Sequence, residues 1–150
     1  MEFSNGVILS FRKPSETKIN VETIRNEAKK RGRDFREFEI MQTIFTCLGK
    51  TREEAKAVLS PTIATHAAGF KTQAMNTDEK AHRKKRNITV EDLLEMSFVG
   101  TADDIIKQIQ TFADAGVTQP VMLLTFRGTD VRNLLDTMKS FAKEVIPSFR

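Results

Sequence analysis

Phe98–Phe126, FVGTADDIIKQIQTFADAGVTQPVMLLTF, decides the fold class of this 150-residue chain. It opens as a loop. Thr101-Ala-Asp-Asp104 then starts a helix in which Ile105, Ile106, Ile109 and Phe112 fall at i, i+1, i+4 and i+7, one apolar face. Asp103 and Asp104 sit in the first turn, where aligned peptide dipoles favour negative charge. Gly116 closes the helix, and Val121–Phe126 is a short apolar strand. A second amphipathic helix follows over Val131–Val145, stopped by Pro147. Helix, strand and helix with no hairpin turn between them is the order of a parallel α/β protein.

The upstream residues repeat the pattern. Val7–Phe11 (VILSF) reads as a strand opened by Asn5-Gly6, and a helix follows from Pro14 or Ser15 to Arg31, with Ile19 and Ile24 on its apolar side. Gly32 suits the left-handed position after a helix. Phe38–Leu48 (FEIMQTIFTCL), rich in β-branched and aromatic residues, is the next strand. Thr51-Arg-Glu-Glu54 is a capping box that opens another helix, which Pro61 is expected to kink or end. Thr89-Val-Glu-Asp92 starts a short helix with Leu93, Leu94 and Met96. The apolar runs VILSF and VMLLTF predict strands covered on both faces, as in parallel sheets. Three such βα units fit part of a doubly wound sheet or part of a (β/α)8 barrel, and periodicity does not choose between them.

Composition bounds the function. Hydrophobic content of 39% and charged content of 29% belong to a soluble globular domain, and no apolar run approaches the roughly 18 residues that span a bilayer. The start MEFSNGVILSF lacks the basic opening and small-residue cleavage site of a secretory leader. A single cysteine, Cys47, excludes an internal disulfide and suits a reducing, cytoplasmic setting; it reads as a small buried hydrophobe. The net charge of +4 is concentrated in Lys80, His82, Arg83, Lys84, Lys85 and Arg86. No aromatic residue lies among them to stack bases, so a solvated loop is expected and nucleic acid is not an expected partner. Gly69–Asn87 has no clear period, which predicts a mobile basic insertion at about residues 69–88 within one domain spanning 1–150. His66 and His82 lack metal-ligand spacing, and no P-loop, glycine-rich nucleotide fingerprint or serine-hydrolase elbow appears.

Three segments carry a family resemblance. They are NGVILSF (5–11) with ETIRNEAKKRGRDFREFEI (22–40) and GKTREEAKAV (49–58); VGTADDIIKQIQTFADAGVTQPVMLL (99–124); and FAKEVIPSFR (141–150). Together they resemble the bacterial luciferase-like oxidoreductases, which include FMN-dependent monooxygenases and reductases that use coenzyme F-420. The resemblance implies a (β/α)8 barrel, of which this chain matches about the last three βα units. It implies hydride transfer or monooxygenation of a small organic substrate, with FMN or F-420 as cofactor. An open piece of barrel has two free strand edges, so the expected partner is a second copy or a complementary N-terminal half-barrel. The alternative is a non-catalytic remnant that serves as a dimerisation or partner-subunit module.

In barrels of this type function lies at the C-terminal ends of the strands. By resemblance to the deazaflavin-binding members, Gly6 stands at the turn before the strand, Ser10 matches a hydroxyl that contacts the coenzyme phosphate, and Lys13 matches a lysine that does the same. Arg12 adds a positive charge beside them, and a helix opening at Ser15 would favour the same anion. The plain reading of Ser10, Arg12 and Lys13 is a strand end followed by solvated charges. Arg127, in the loop after the last strand, is a weaker candidate for substrate contact. No catalytic residue is named by the sequence.

Overall fold

The structure is a computed structural model that describes residues 4–76, 88–124 and 131–149. Four parallel strands and five helices alternate along them. Gly6–Ser10 (β1) leads into helix Pro14–Lys30 (α1), and Glu39–Leu48 (β2) follows. Helices Arg52–Asn76 (α2) and Val90–Glu95 (α3) precede a three-residue strand, Phe98–Gly100 (β3). Helix Ala102–Asp114 (α4), strand Gln119–Leu123 (β4) and helix Val131–Glu144 (α5) complete the order, with a 3-10 turn over Ile146–Phe149.

β2 is the centre of the sheet. β1 pairs with it from Gly6 against Glu39 to Ser10 against Thr43, and β4 from Met41 against Gln119 to Phe45 against Leu123. β3 takes the last third of β2, Thr46–Leu48. Among the described residues β1 and β4 pair with β2 alone.

Residues in register point to the same side of a parallel sheet. One side carries Ile40, Gln42, Ile44 and Thr46 of β2, with Phe98 and Met122 beside them. Helices α1, α4 and α5 cover it, and Ile44 and Phe98 pack with Ile105, Ile109, Phe112, Phe141 and Val145. The other side carries Gly6, Ile8 and Ser10, then Met41 and Thr43, then Gln119 and Val121. Here α2 and α3 reach only the far end, where Phe45 and Cys47 pack with Ala55, Leu59, Ile63 and Leu93. Ile8 stays 59% exposed and Val121 40%. Cover on both faces was the expectation for these apolar runs; one face is bare over most of its length.

Capping holds the helices where the sequence places them. Thr101 Oγ1 accepts from the Asp104 N–H, while the Asp104 carboxylate accepts from the Thr101 N–H at 3.1 Å. Thr89 and Asp92 repeat the arrangement at α3. At α2 the box is displaced: Thr51 accepts from the Glu54 N–H, but Glu54 reaches back to the amide of Lys50. Gly32 adopts φ 68° after α1, as expected.

Three expectations are corrected. α2 runs through Pro61 without ending. An interior proline costs about 3 kcal/mol, but Ala55, Leu59, Ile63 and Ala67 form one buried stripe on both sides of it. Burying Leu59 and Ile63 alone contributes roughly 1.5–3 kcal/mol each. The same helix extends over residues 69–76, the start of the expected insertion; residues 77–87, with the basic block, lie outside the described residues. The stretch Phe98–Gly100, expected to be a loop, is a strand, because β2 offers it a ladder. The following strand begins earlier than expected, at Gln119. Among the described residues no helix is long and apolar enough to cross a membrane.

Candidate anion site at the end of the first strand

β1 ends in a strained turn. Among the described residues Phe11 is the one non-glycine residue with positive φ, 49°. For a bulky side chain this is an outlier, costing roughly 1–2 kcal/mol. Its ring stacks on Phe45 at 5.0 Å, and His66 meets the same Phe45 edge-on at 4.7 Å. His66 is fixed within α2 by a 2.9 Å bond between Nδ1 and the Thr62 carbonyl.

Arg12 and Lys13 are then held by their backbones. Gln42 Nε2 donates to the Arg12 carbonyl at 2.8 Å, and Thr17 Oγ1 donates to Gln42 Oε1 at 2.7 Å. Both Gln42 and Thr17 are fully buried. The Lys13 N–H donates to Glu16 Oε2 at 3.0 Å. Lys13 Nζ lies 2.7 Å from Asp92 and 2.6 Å from Glu95, tying the start of α1 to α3. Hydrogen bonds donated by the Lys13 ammonium to Asp92 and Glu95 hold its pKa above the usual range. In return Lys13, aided by Thr89, draws the Asp92 carboxyl down to about 2.

The predicted site residues therefore separate. Ser10 and Arg12 line one groove of about 420 Å³ between β1 and α1, with Asn20 and Thr23. A hydroxyl donor and a guanidinium fork match the oxygens of an anion. Lys13 is turned toward Asp92 and Glu95, and Glu16 lies over the first turn of α1, so a phosphate there would compete with three carboxylates. Gly6 stands at the other end of β1, about 13 Å away by strand rise. Its missing side chain has a local reason: a Cβ would lie 2.7 Å from the Glu39 carbonyl oxygen. Arg127 lies outside the described residues. Cys47 is buried, and desolvation pushes its thiol up, as expected for a packing residue. Among the described residues no group of three or more His, Cys, Asp or Glu is arranged to hold a metal.

Sequence reasoning missed Gln42 and Thr17. The available signal was parity: Gln42 falls between Ile40 and Ile44 on the buried face of its strand, where a polar residue requires a partner. Asp92 and Glu95 gave no such signal, because Lys13 reaches them across the fold.

A parallel sheet with helices between its strands is the architecture of the α/β folds, doubly wound sheets and (β/α)8 barrels alike. Residues 2–119 match the luciferase-like monooxygenase family, and the chain belongs to it. It is 25% identical over 167 residues to the 5,10-methylenetetrahydromethanopterin reductase of Methanopyrus kandleri, covering 99% of this chain and 46% of that protein. The solved structure of the coenzyme F-420 dependent tetrahydromethanopterin reductase from Methanopyrus kandleri superposes with TM-score 0.70 at 22% identity, over 99% of this chain and 46% of that one. A monooxygenase from Streptomyces bottropensis gives TM-score 0.72 at 15% identity, over 97% of this chain and 42% of its own. At these identities the structures establish the fold alone. The chain spans about half the length of the curated relative it matches.

Proposed function

We propose that this chain, as one luciferase-like unit over 1–150, supplies the last four βα units of a (β/α)8 barrel oxidoreductase. That is one more than the three expected from the sequence, because Phe98–Gly100 is a strand followed by α4. The observation that carries the reading is the bare face of a parallel sheet, Ile8 and Val121 exposed, in a chain half the length of its relative. Parallel sheets are covered on both faces, and α2 and α3 leave most of this one uncovered, so it calls for a layer from elsewhere. The coenzyme, FMN or F-420, supplies the hydride chemistry, and the substrate is a small organic molecule. Ser10 and Arg12 contact the coenzyme phosphate; Lys13 fits the role less well, since its ammonium is held by Asp92 and Glu95. Gly6 serves the packing of the strand that carries them.

Thermal unfolding of the purified chain, alone and with excess FMN or F-420, tests this reading. A ligand that binds only the folded state raises the midpoint by mass action. A shift with one coenzyme and not the other names the cofactor. A cooperative melt that neither coenzyme moves overturns the phosphate site in the isolated chain.

A second reading, a half-barrel that pairs with another copy or with a complementary chain, draws on the open sides. Besides the bare face, an apolar groove of about 300 Å³ runs along β4, lined by Phe112, Met122, Phe141 and Phe149 among others. Sedimentation of the wild type against Ile8→Lys/Val121→Lys distinguishes the cases. A monomer in both removes self-pairing; a wild-type dimer that the substitutions dissolve supports it.

A further inference from the structure

We infer that Gln42 and Thr17 are positioning residues for the anion site: their buried pair fixes the backbone at Arg12 and thereby aims its guanidinium into the groove that Ser10 lines. The inference rests on the phosphate contact proposed above. Gln42 lies between Ile40 and Ile44 on the covered face, and both it and Thr17 are completely buried. Desolvating an amide and a hydroxyl is unfavourable unless both are bonded, and a matched apolar pair would pack there about as stably. What the polar pair adds is one outward bond, from Gln42 Nε2 to the Arg12 carbonyl.

That carbonyl follows directly on Phe11, whose left-handed backbone persists only where its surroundings over-determine it. Three constraints converge on the turn. Phe11 is stacked on Phe45, the Arg12 carbonyl is held by Gln42, and Lys13 is clamped by Glu16, Asp92 and Glu95. Only the Arg12 side chain is left to face the groove, and it enters no ion pair among the described residues. Strain and buried bonding thus serve to present one cation.

The test compares four variants of the full chain, with inorganic phosphate and the better-binding coenzyme as probes. Arg12→Ala removes the ligand and lowers affinity about tenfold or more, as expected for a charge-assisted contact. Thr17→Val/Gln42→Met removes the pair as a unit and lowers affinity about fivefold through misplacement, with little change in melting temperature. Thr17→Val alone frees the Gln42 amide and gives a smaller loss in case the double variant folds poorly, and Thr17→Ser restores binding. Trypsin gives a readout without ligand: in the double variant, cleavage after Arg12 accelerates relative to cleavage after Arg52. If Arg12→Ala weakens binding but the double variant and Thr17→Val bind and cleave as the wild type does, the positioning role fails and the anion site stands. If the wild type binds neither probe, or Arg12→Ala binds as the wild type does, both fail together.

Discussion

Ile44 and Ile8 occupy adjacent strands of one sheet, yet the first has no exposed surface and the second is 59% exposed. The difference is one of parity. Alternation assigns each residue of a strand to a face, and whether that face is covered depends on elements far away in sequence. α1, α4 and α5 bring Val21, Ile105, Phe112 and Phe141 over the side of Ile44, all of them buried. α2 and α3 cover the opposite side only as far as Phe45. Along β1 and β4 the covered face carries Val7, Leu9, Pro120 and Met122, whereas the bare face sets Ile8 and Val121 among Gly6, Ser10 and Gln119.

The largest test of this contrast is Phe98→Ala against Ile8→Ala. Loss of Phe98 from the closed face should remove about 3–5 kcal/mol; loss of Ile8 from the open face should stay within about 0.5 kcal/mol. Urea unfolding of the two reads the difference directly, and equal losses would mean that the open face is buried in solution. Next in size is Thr101→Ala, which removes the cap of α4 and should lower stability by about 1 kcal/mol without changing which face is covered. The smallest effect concerns α3, the partial cover of the open face. The Asp92 carboxyl lies at about 2 when folded, against an ordinary 3.8, so its contribution is complete above about pH 4 and is lost as pH falls toward 2. The melting difference between wild type and Asp92→Asn should therefore shrink over that interval. A constant difference would show that Lys13 and Asp92 do not pair in solution.

The elements that the sequence made legible are those whose signals are local. Thr101 with Asp104, Thr89 with Asp92 and the stripe Ile105–Ile109–Phe112 announce helices through contacts within four residues of one another. The strand state of Phe98–Gly100 is not local: a three-residue run has too little pattern, and only Thr46–Leu48 makes it a strand. Pro61 did not end its helix, for the reverse reason: a local stop signal was overridden by Leu59 and Ile63 packing on the sheet. At the candidate site, the family resemblance singled out Ser10, Arg12 and Lys13 in one loop, and the structure turns Lys13 away from the groove that the other two line. The division of labour within it did not follow from spacing, because Asp92 and Glu95 arrive from some eighty positions downstream.

The sheet's pairing pattern also bears on how the chain is built during synthesis. All ladders among the described residues share β2. β1 and β2 are both complete once Leu48 has been made, and joining them closes a short loop around α1. β4 emerges last and finds its partner edge, Met41–Phe45, already formed. Loop-closure entropy grows only slowly with the distance spanned, so this late docking carries little entropic handicap. Its hazard is kinetic: until Gln119–Leu123 arrives, the edge of β2 remains an open template on which another nascent chain can pair.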